Sequence, residues 1–167
     1  MLSAVSSYFF NNRLRFLIAQ GLALIMLGLS FLFLEQYFAM VSYGICIVRV
    51  LVYYYYEGKG VKTPLLIQTF FAVIAVCSYF IVNVYILRSQ KPLDILLMCS
   101  NVTFTYVFGI RNLLLLKRLI IFPIIMTLIY NVLVGATVFV IVSYSFEAVA
   151  NLTSIILFEY RKRKKRL

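Results

Sequence analysis

Apolar residues run in six long blocks along the chain, separated by short clusters of turn formers and charges. The blocks are Leu14–Leu34, Tyr37–Tyr56, Pro64–Leu87, Leu93–Ile110, Leu119–Val134 and Val138–Phe158. Each is near the roughly 20 residues that a helix needs to cross a bilayer. The fifth is short unless Leu113–Leu116 joins it across Lys117-Arg118. The breaks carry turn chemistry: Glu35-Gln36, Glu57-Gly58-Lys59-Gly60, Ser89-Gln90-Lys91-Pro92 and Gly135-Ala136. No block alternates apolar and polar positions as a membrane barrel strand would. Helices then remain as the structure that satisfies the backbone in lipid. The expectation is an all-α polytopic membrane bundle, one domain spanning 1–167, with six full transmembrane helices. Met1–Asn12 is too short to span and lacks the marks of a secretory signal. It is expected to form a partial or interfacial helix.

Composition agrees with this reading and narrows the chemistry. Hydrophobic residues make up 64% and charged residues 13% of the chain, against about 45–50% and about 25% in soluble domains. Such a chain cannot cover a water-exposed surface. It also contains no histidine, the commonest general base and metal ligand. Cys46, Cys77 and Cys99 all lie inside apolar runs and form no CxxC pair, so they read as small apolar packers. There is no Ser-Lys or paired-Asp constellation and no Gly-rich phosphate loop. No metal, no cofactor and no enzymatic activity is expected.

The formal net charge is +11. In a soluble protein that balance would suggest nucleic acid, but here the distribution points to topology instead. One side of the membrane receives Arg13, Arg15, Lys59, Lys62, Arg111, Lys117, Arg118 and the run Arg161, Lys162, Arg163, Lys164, Lys165, Arg166. The other receives Arg88 and Lys91 beside Glu35 and Asp94. Positive residues stay preferentially in the cytoplasm, which places the C-terminus inside. The terminal run follows an apolar segment directly, so the expected partners are the bilayer and anionic lipid headgroups, with no nucleic acid. A homo-oligomer is left open. The last four residues, Lys164-Lys165-Arg166-Leu167, also read as a dilysine retrieval signal. A eukaryotic endoplasmic reticulum or organelle membrane is therefore the alternative to a bacterial inner membrane.

Polar residues inside the blocks are the candidate site. Arg49 lies about 12 Å from the inner end of the second block and Glu147 near 17 Å from the inner end of the last, at about 1.5 Å per residue. Either charge facing lipid alone would cost several kcal/mol. Both are expected to face the bundle interior, as a pair across it. The other reading has Arg49 snorkelling and Glu147 held by hydroxyls. Glu147, Asn151 and Ser154 fall at i, i+4 and i+7 on one stripe, and Cys46, Arg49, Tyr53 and Tyr56 form another. Asn101 and Thr105 make an i,i+4 pair in the fourth block, and Asn131 stands four residues before Gly135. Arg49, Asn101, Asn131, Glu147, Asn151 and Ser154 are thus candidates to line a polar path, with interhelical glue as the alternative. The run Tyr53–Tyr56 sits where an interfacial aromatic belt belongs.

Shifted by 102 residues, Arg13–Lys59 lies over Leu115–Arg161, with Arg15 on Lys117 and Arg49 on Asn151. The match is one of pattern: a basic loop, a helix, a tight turn, and a helix ending in aromatics and cations. It suggests two pseudo-repeated half-bundles, about 1–56 and about 92–159, joined by a linker helix at about 64–87 and followed by a basic tail, 160–167. The stretch Leu128-Ile129-Tyr130-Asn131-Val132-Leu133-Val134-Gly135-Ala136 resembles the W-L-I-Y-N-x-x-x-G-S segment of YgjV-type bacterial inner-membrane proteins. Glu147, Asn151 and Ser154 are similar to the E-x-x-x-N/S-x-x-S run that follows it, and Arg49 resembles that family's early-helix arginine. Three departures bear on packing: an aliphatic residue replaces the tryptophan, Gly135-Ala136 replaces Gly-Ser, and Phe122-Pro123 enters the fifth helix. The resemblance implies a seven-helix plan whose first helix is half present here, as Met1–Phe10. By analogy of helix count it is similar to the three-one-three plan of SWEET sugar carriers and nicotinamide riboside carriers.

Three functions follow as expectations. The first is a transporter or facilitator for a polar small molecule, with Glu147 as the proton-exchanging group. The second is a membrane scaffold or accessory subunit in which the same residues are glue. The third, a membrane enzyme, has the least support.

Overall fold

A computed structural model describes residues 7–10, 12–33, 37–86, 93–136 and 138–164, without the side chains at 30, 32, 33, 37, 84–86, 139 and 159–164. The turns at Glu35-Gln36 and Ser89–Pro92, the cations Arg88, Lys91, Lys165 and Arg166, and the first six residues lie outside the described residues. So do the side chains of Arg161, Lys162, Arg163 and Lys164.

The described residues are mostly helical, with no strand among them. The helices are α1 (Arg13–Phe33), α2 (Tyr37–Gly58), α3 (Leu65–Tyr79, running on as a π-helix over Phe80–Ile86), α4 (Leu93–Phe108), α5 (Leu113–Leu119), α6 (Ile121–Leu133) and α7 (Val138–Lys164). Among the described residues, four stretches are long and apolar enough to cross a membrane: Phe38–Gly58, Leu65–Asn83, Leu113–Leu133 and Val140–Phe158. The fifth block therefore does reach back to Leu113, through Lys117 and Arg118. α7 also continues past the last apolar residue into the basic run.

The ends of these helices follow from local chemistry. Asn12 and Asn112 cap α1 and α5, each side-chain oxygen accepting from the backbone N–H two residues on, at 2.9 and 3.1 Å. At the end of α2, Val61 N bonds to Tyr56 O at 3.1 Å and Gly60 N to Glu57 O at 2.9 Å. α6 ends the same way, with Ala136 N on Asn131 O at 2.9 Å and Gly135 N on Val132 O at 3.2 Å. Both are Schellman closures, and they set Gly60 at φ 67° and Gly135 at φ 71°. This explains why Ala136 serves where the family pattern has serine. The closure uses that residue's N–H alone.

Pro123 falls in the first turn of α6, where its missing N–H matters least. The α5–α6 joint stays nearly straight, because Ile120 N still bonds to Leu116 O (2.9 Å) and Ile124 N to Ile120 O (3.2 Å). The Pro123 carbonyl accepts from Ser100 Oγ and Thr127 Oγ1, both at 2.9 Å, which ties α4 to α6.

α1 packs along α2, α4 along α6, and α6 against α7, while α3 lies against α2 and α4. The outer faces are apolar: Leu66 is 83% exposed, Val138 75% and Ile156 67%. In water such a surface would aggregate; against acyl chains it is the expected finish. Polar groups gather inside instead.

Candidate functional site

Two polar stripes meet at mid-height between α2 and α4. Cys46, Arg49 and Tyr53 follow at i, i+3 and i+7, facing Asn101, Thr105 and Phe108 at i, i+4 and i+7. The Arg49 guanidinium donates through Nη1 to the Asn101 carbonyl (2.8 Å) and Thr105 Oγ1 (2.6 Å), and through Nη2 to Cys46 Sγ (3.2 Å). The Phe108 ring lies 5.7 Å from its centre, in cation–π range. Cys46 Sγ donates to Asn101 Oδ1 at 3.2 Å, and Tyr53 OH to the Thr105 carbonyl at 2.7 Å. Arg49 is 2% exposed. Burial of this charge is offset by several charge-assisted bonds, each worth about 1.5–3 kcal/mol.

Glu147 sits across the interior on α7, held by other elements. Its Oε1 accepts from Tyr8 OH at 2.7 Å and from Gln20 Nε2 at 3.2 Å. Gln20 also donates to Ser7 Oγ at 3.0 Å. The expected Arg49–Glu147 pair does not form. Depth along a helix fixes height but not azimuth: the arginine stripe faces α4, whereas Glu147 faces α1 and the segment Ser7–Phe10. Both residues nevertheless line one small cavity of about 30 Å³, together with Gln20, Tyr43, Cys46, Asn101, Thr127 and Tyr144. That volume holds one or two waters, since a water needs roughly 10–15 Å³ measured this way. One turn from Cys46 and Glu147, towards the start of α2 and α7, the hydroxyls of Tyr43 and Tyr144 meet in a hydrogen bond at the chamber wall.

The remaining predicted residues lie apart from this chamber. Asn131 is fully buried and spends its Nδ2 on the Thr127 carbonyl (2.8 Å). Asn151 donates to the Lys117 carbonyl at 2.8 Å, joining α7 to α5. Among the described residues, buried Ser154 Oγ finds no partner, nor do Asn131 Oδ1, Asn151 Oδ1 and both side-chain polar atoms of Asn83.

Several participants escaped the sequence reading. Lys117, expected among the surface cations, is 2% exposed, donating to the Tyr8 carbonyl at 2.5 Å and the Phe10 carbonyl at 3.4 Å. Lys117 is thus a deep charge beside Arg49 and Glu147. The described part of the N-terminal segment packs into the bundle: Tyr8 is fully buried, its ring set edge-on to Phe16 at 5.6 Å. The segment's backbone carbonyls meet a buried ammonium and the Tyr8 hydroxyl a buried carboxylate. Gln20 carried a readable signal, as a lone amide in the apolar stretch between Arg15 and Ser30. At the end where α1 begins, Arg13 joins Glu57 at 2.7 Å and the Phe108 carbonyl at 2.5 Å, stapling α1, α2 and α4.

Apolar spans with buried polar groups between them define a multi-pass membrane protein. The family model Imp-YgjV, described as bacterial inner membrane protein, matches residues 1–163. The chain belongs to that family and is a multi-pass protein of the bacterial inner membrane. No curated protein and no solved structure shows significant similarity to it.

Proposed function

We propose that the chain is a small transporter or facilitator for a polar solute, and not an enzyme, with the central chamber as its site in a closed state. One observation carries this reading: Arg49 and Glu147 line the same cavity without neutralising each other. A structural role for two buried charges is best served by pairing them, since an unpaired buried charge is costly. Arg49, Asn101, Glu147, Gln20 and the Tyr43–Tyr144 pair are the residues we assign to the path. Asn131, Asn151 and Ser154 act in this reading as packing and tethering groups beside it. α1 and α4 count as spans in addition to the four long ones, giving six, arranged as two half-bundles around α3. The cation asymmetry then puts the C-terminus in the cytoplasm, with the terminal basic run on anionic headgroups.

The experiment is uptake by proteoliposomes offered a mixture of polar metabolites, read by mass spectrometry. Wild-type vesicles are expected to accumulate at least one solute, and Glu147→Gln vesicles to lose that uptake. No accumulation over empty liposomes, or equal accumulation by the variant, would contradict the proposal.

A second reading has its own support. Arg49, Tyr53, Ser100 and Asn151 all bond to backbone carbonyls of neighbouring helices, the pattern of interhelical glue. In a non-transporting scaffold, Arg49→Met with Glu147→Leu would still assemble.

A further inference from the structure

A second, open pocket of about 450 Å³ lies away from the chamber, at the Arg13 end of the bundle, where the α2–α3 loop meets the α4–α5 turn. Lys62 and Arg111 stand on its rim, both exposed, and no carboxylate lines it. Arg111 is steered by a 3.0 Å bond from Nη2 to the Gly60 carbonyl, which ties the two loops together. The floor is Gln68, 5% exposed, whose Nε2 holds the Thr63 carbonyl at 3.0 Å. Gln68 fits only because residue 109 is glycine, as a Cβ there would collide with its amide. α3 starts at the same place with no side-chain cap, so its first amides and its dipole favour an anion. Directly beyond, Leu65 and Leu66 are 68% and 83% exposed, an apolar wall continuing from the polar rim into the lipid zone.

We propose that this pocket binds the phosphate headgroup of an anionic phospholipid, with Lys62 and Arg111 on the phosphate and an acyl chain along Leu65 and Leu66. The juxtaposition of two cations, uncapped helix amides and an apolar wall matches an amphiphile with a charged head. A soluble anion would have no use for the wall. The site is separate from the basic tail and does not depend on whether the protein transports.

The test is native mass spectrometry of the purified full chain equilibrated with equal amounts of phosphatidylglycerol and phosphatidylcholine. Retained lipid is expected to be enriched in phosphatidylglycerol. Lys62→Gln with Arg111→Gln is expected to lower that enrichment at least about tenfold, as each cation near a membrane surface is worth roughly a factor of five. Lys62→Gln alone leaves the Arg111–Gly60 tie intact, and so guards against a folding defect; it should lose about fivefold. Glutamine at Arg161, Lys162 and Arg163 should leave the preference unchanged. The proposal is overturned if wild type shows no preference, if the double variant keeps it, if the tail variant abolishes it, or if millimolar inorganic phosphate displaces the lipid.

Discussion

The two charges that face the central chamber are held in opposite ways. Arg49 is locked into one interface by side-chain and backbone acceptors of α4 and a thiol of its own helix. Among the described residues, Glu147 is held by a hydroxyl from Ser7–Phe10 and an amide from α1. The arginine belongs to a packed seam between two long helices, whereas the carboxylate depends on a short segment that Lys117, Gln20 and the Tyr8–Phe16 contact hold in place. A site that must open would do so on the Glu147 side, with the α2–α4 seam as its fixed wall.

Substitutions can break that contrast. The largest effect is expected for Arg49→Ala, which empties the seam and should destabilise the fold by about 3 kcal/mol. A thermal unfolding midpoint in mild detergent reads it; a midpoint like that of wild type would mean the seam is not the fixed wall. Lys117→Met keeps much of the volume but removes the tether from the Tyr8 and Phe10 carbonyls. A loss of about 1.5–3 kcal/mol is expected, together with faster proteolysis of the N-terminal segment, while the α2–α4 seam stays intact. Tyr8→Phe removes one hydroxyl from Glu147 and should cost about 1 kcal/mol. Its larger consequence should be a faster reaction of the chamber thiol Cys46 with aqueous reagents. The smallest effect is expected at Ser154, whose buried Oγ has no partner. Ser154→Ala should change the midpoint within an equivalent of about 0.5 kcal/mol, or raise it.

The helices were legible because apolar run length and turn residues report directly on them, and the glycine closures at Gly60 and Gly135 were visible as breaks. The stripe Cys46–Arg49–Tyr53 and the pair Asn101–Thr105 were each legible as one face of a helix. Their meeting was not, because azimuth depends on how helices pack. Lys117 was misplaced for a simpler reason. Two adjacent cations, Lys117-Arg118, read as a loop, yet a helix runs through both and turns one inward and the other to the exterior. Tyr8 was hidden because a ten-residue apolar start cannot show from its sequence whether it lies on a surface or fills a gap. The lipid pocket joins residues about 50 positions apart and leaves no local signal.

The chamber's ability to open is tested most directly at Cys46, which lines it and is 3% exposed in this closed form. Cys77 and Cys99 are first replaced by alanine, and membrane vesicles are then treated with a membrane-impermeant, positively charged methanethiosulfonate. Opening predicts that Cys46 is modified in the intact membrane, faster with Tyr8→Phe. A thiol that stays unmodified in both forms until the protein is unfolded would contradict it, and would leave the polar interior as glue.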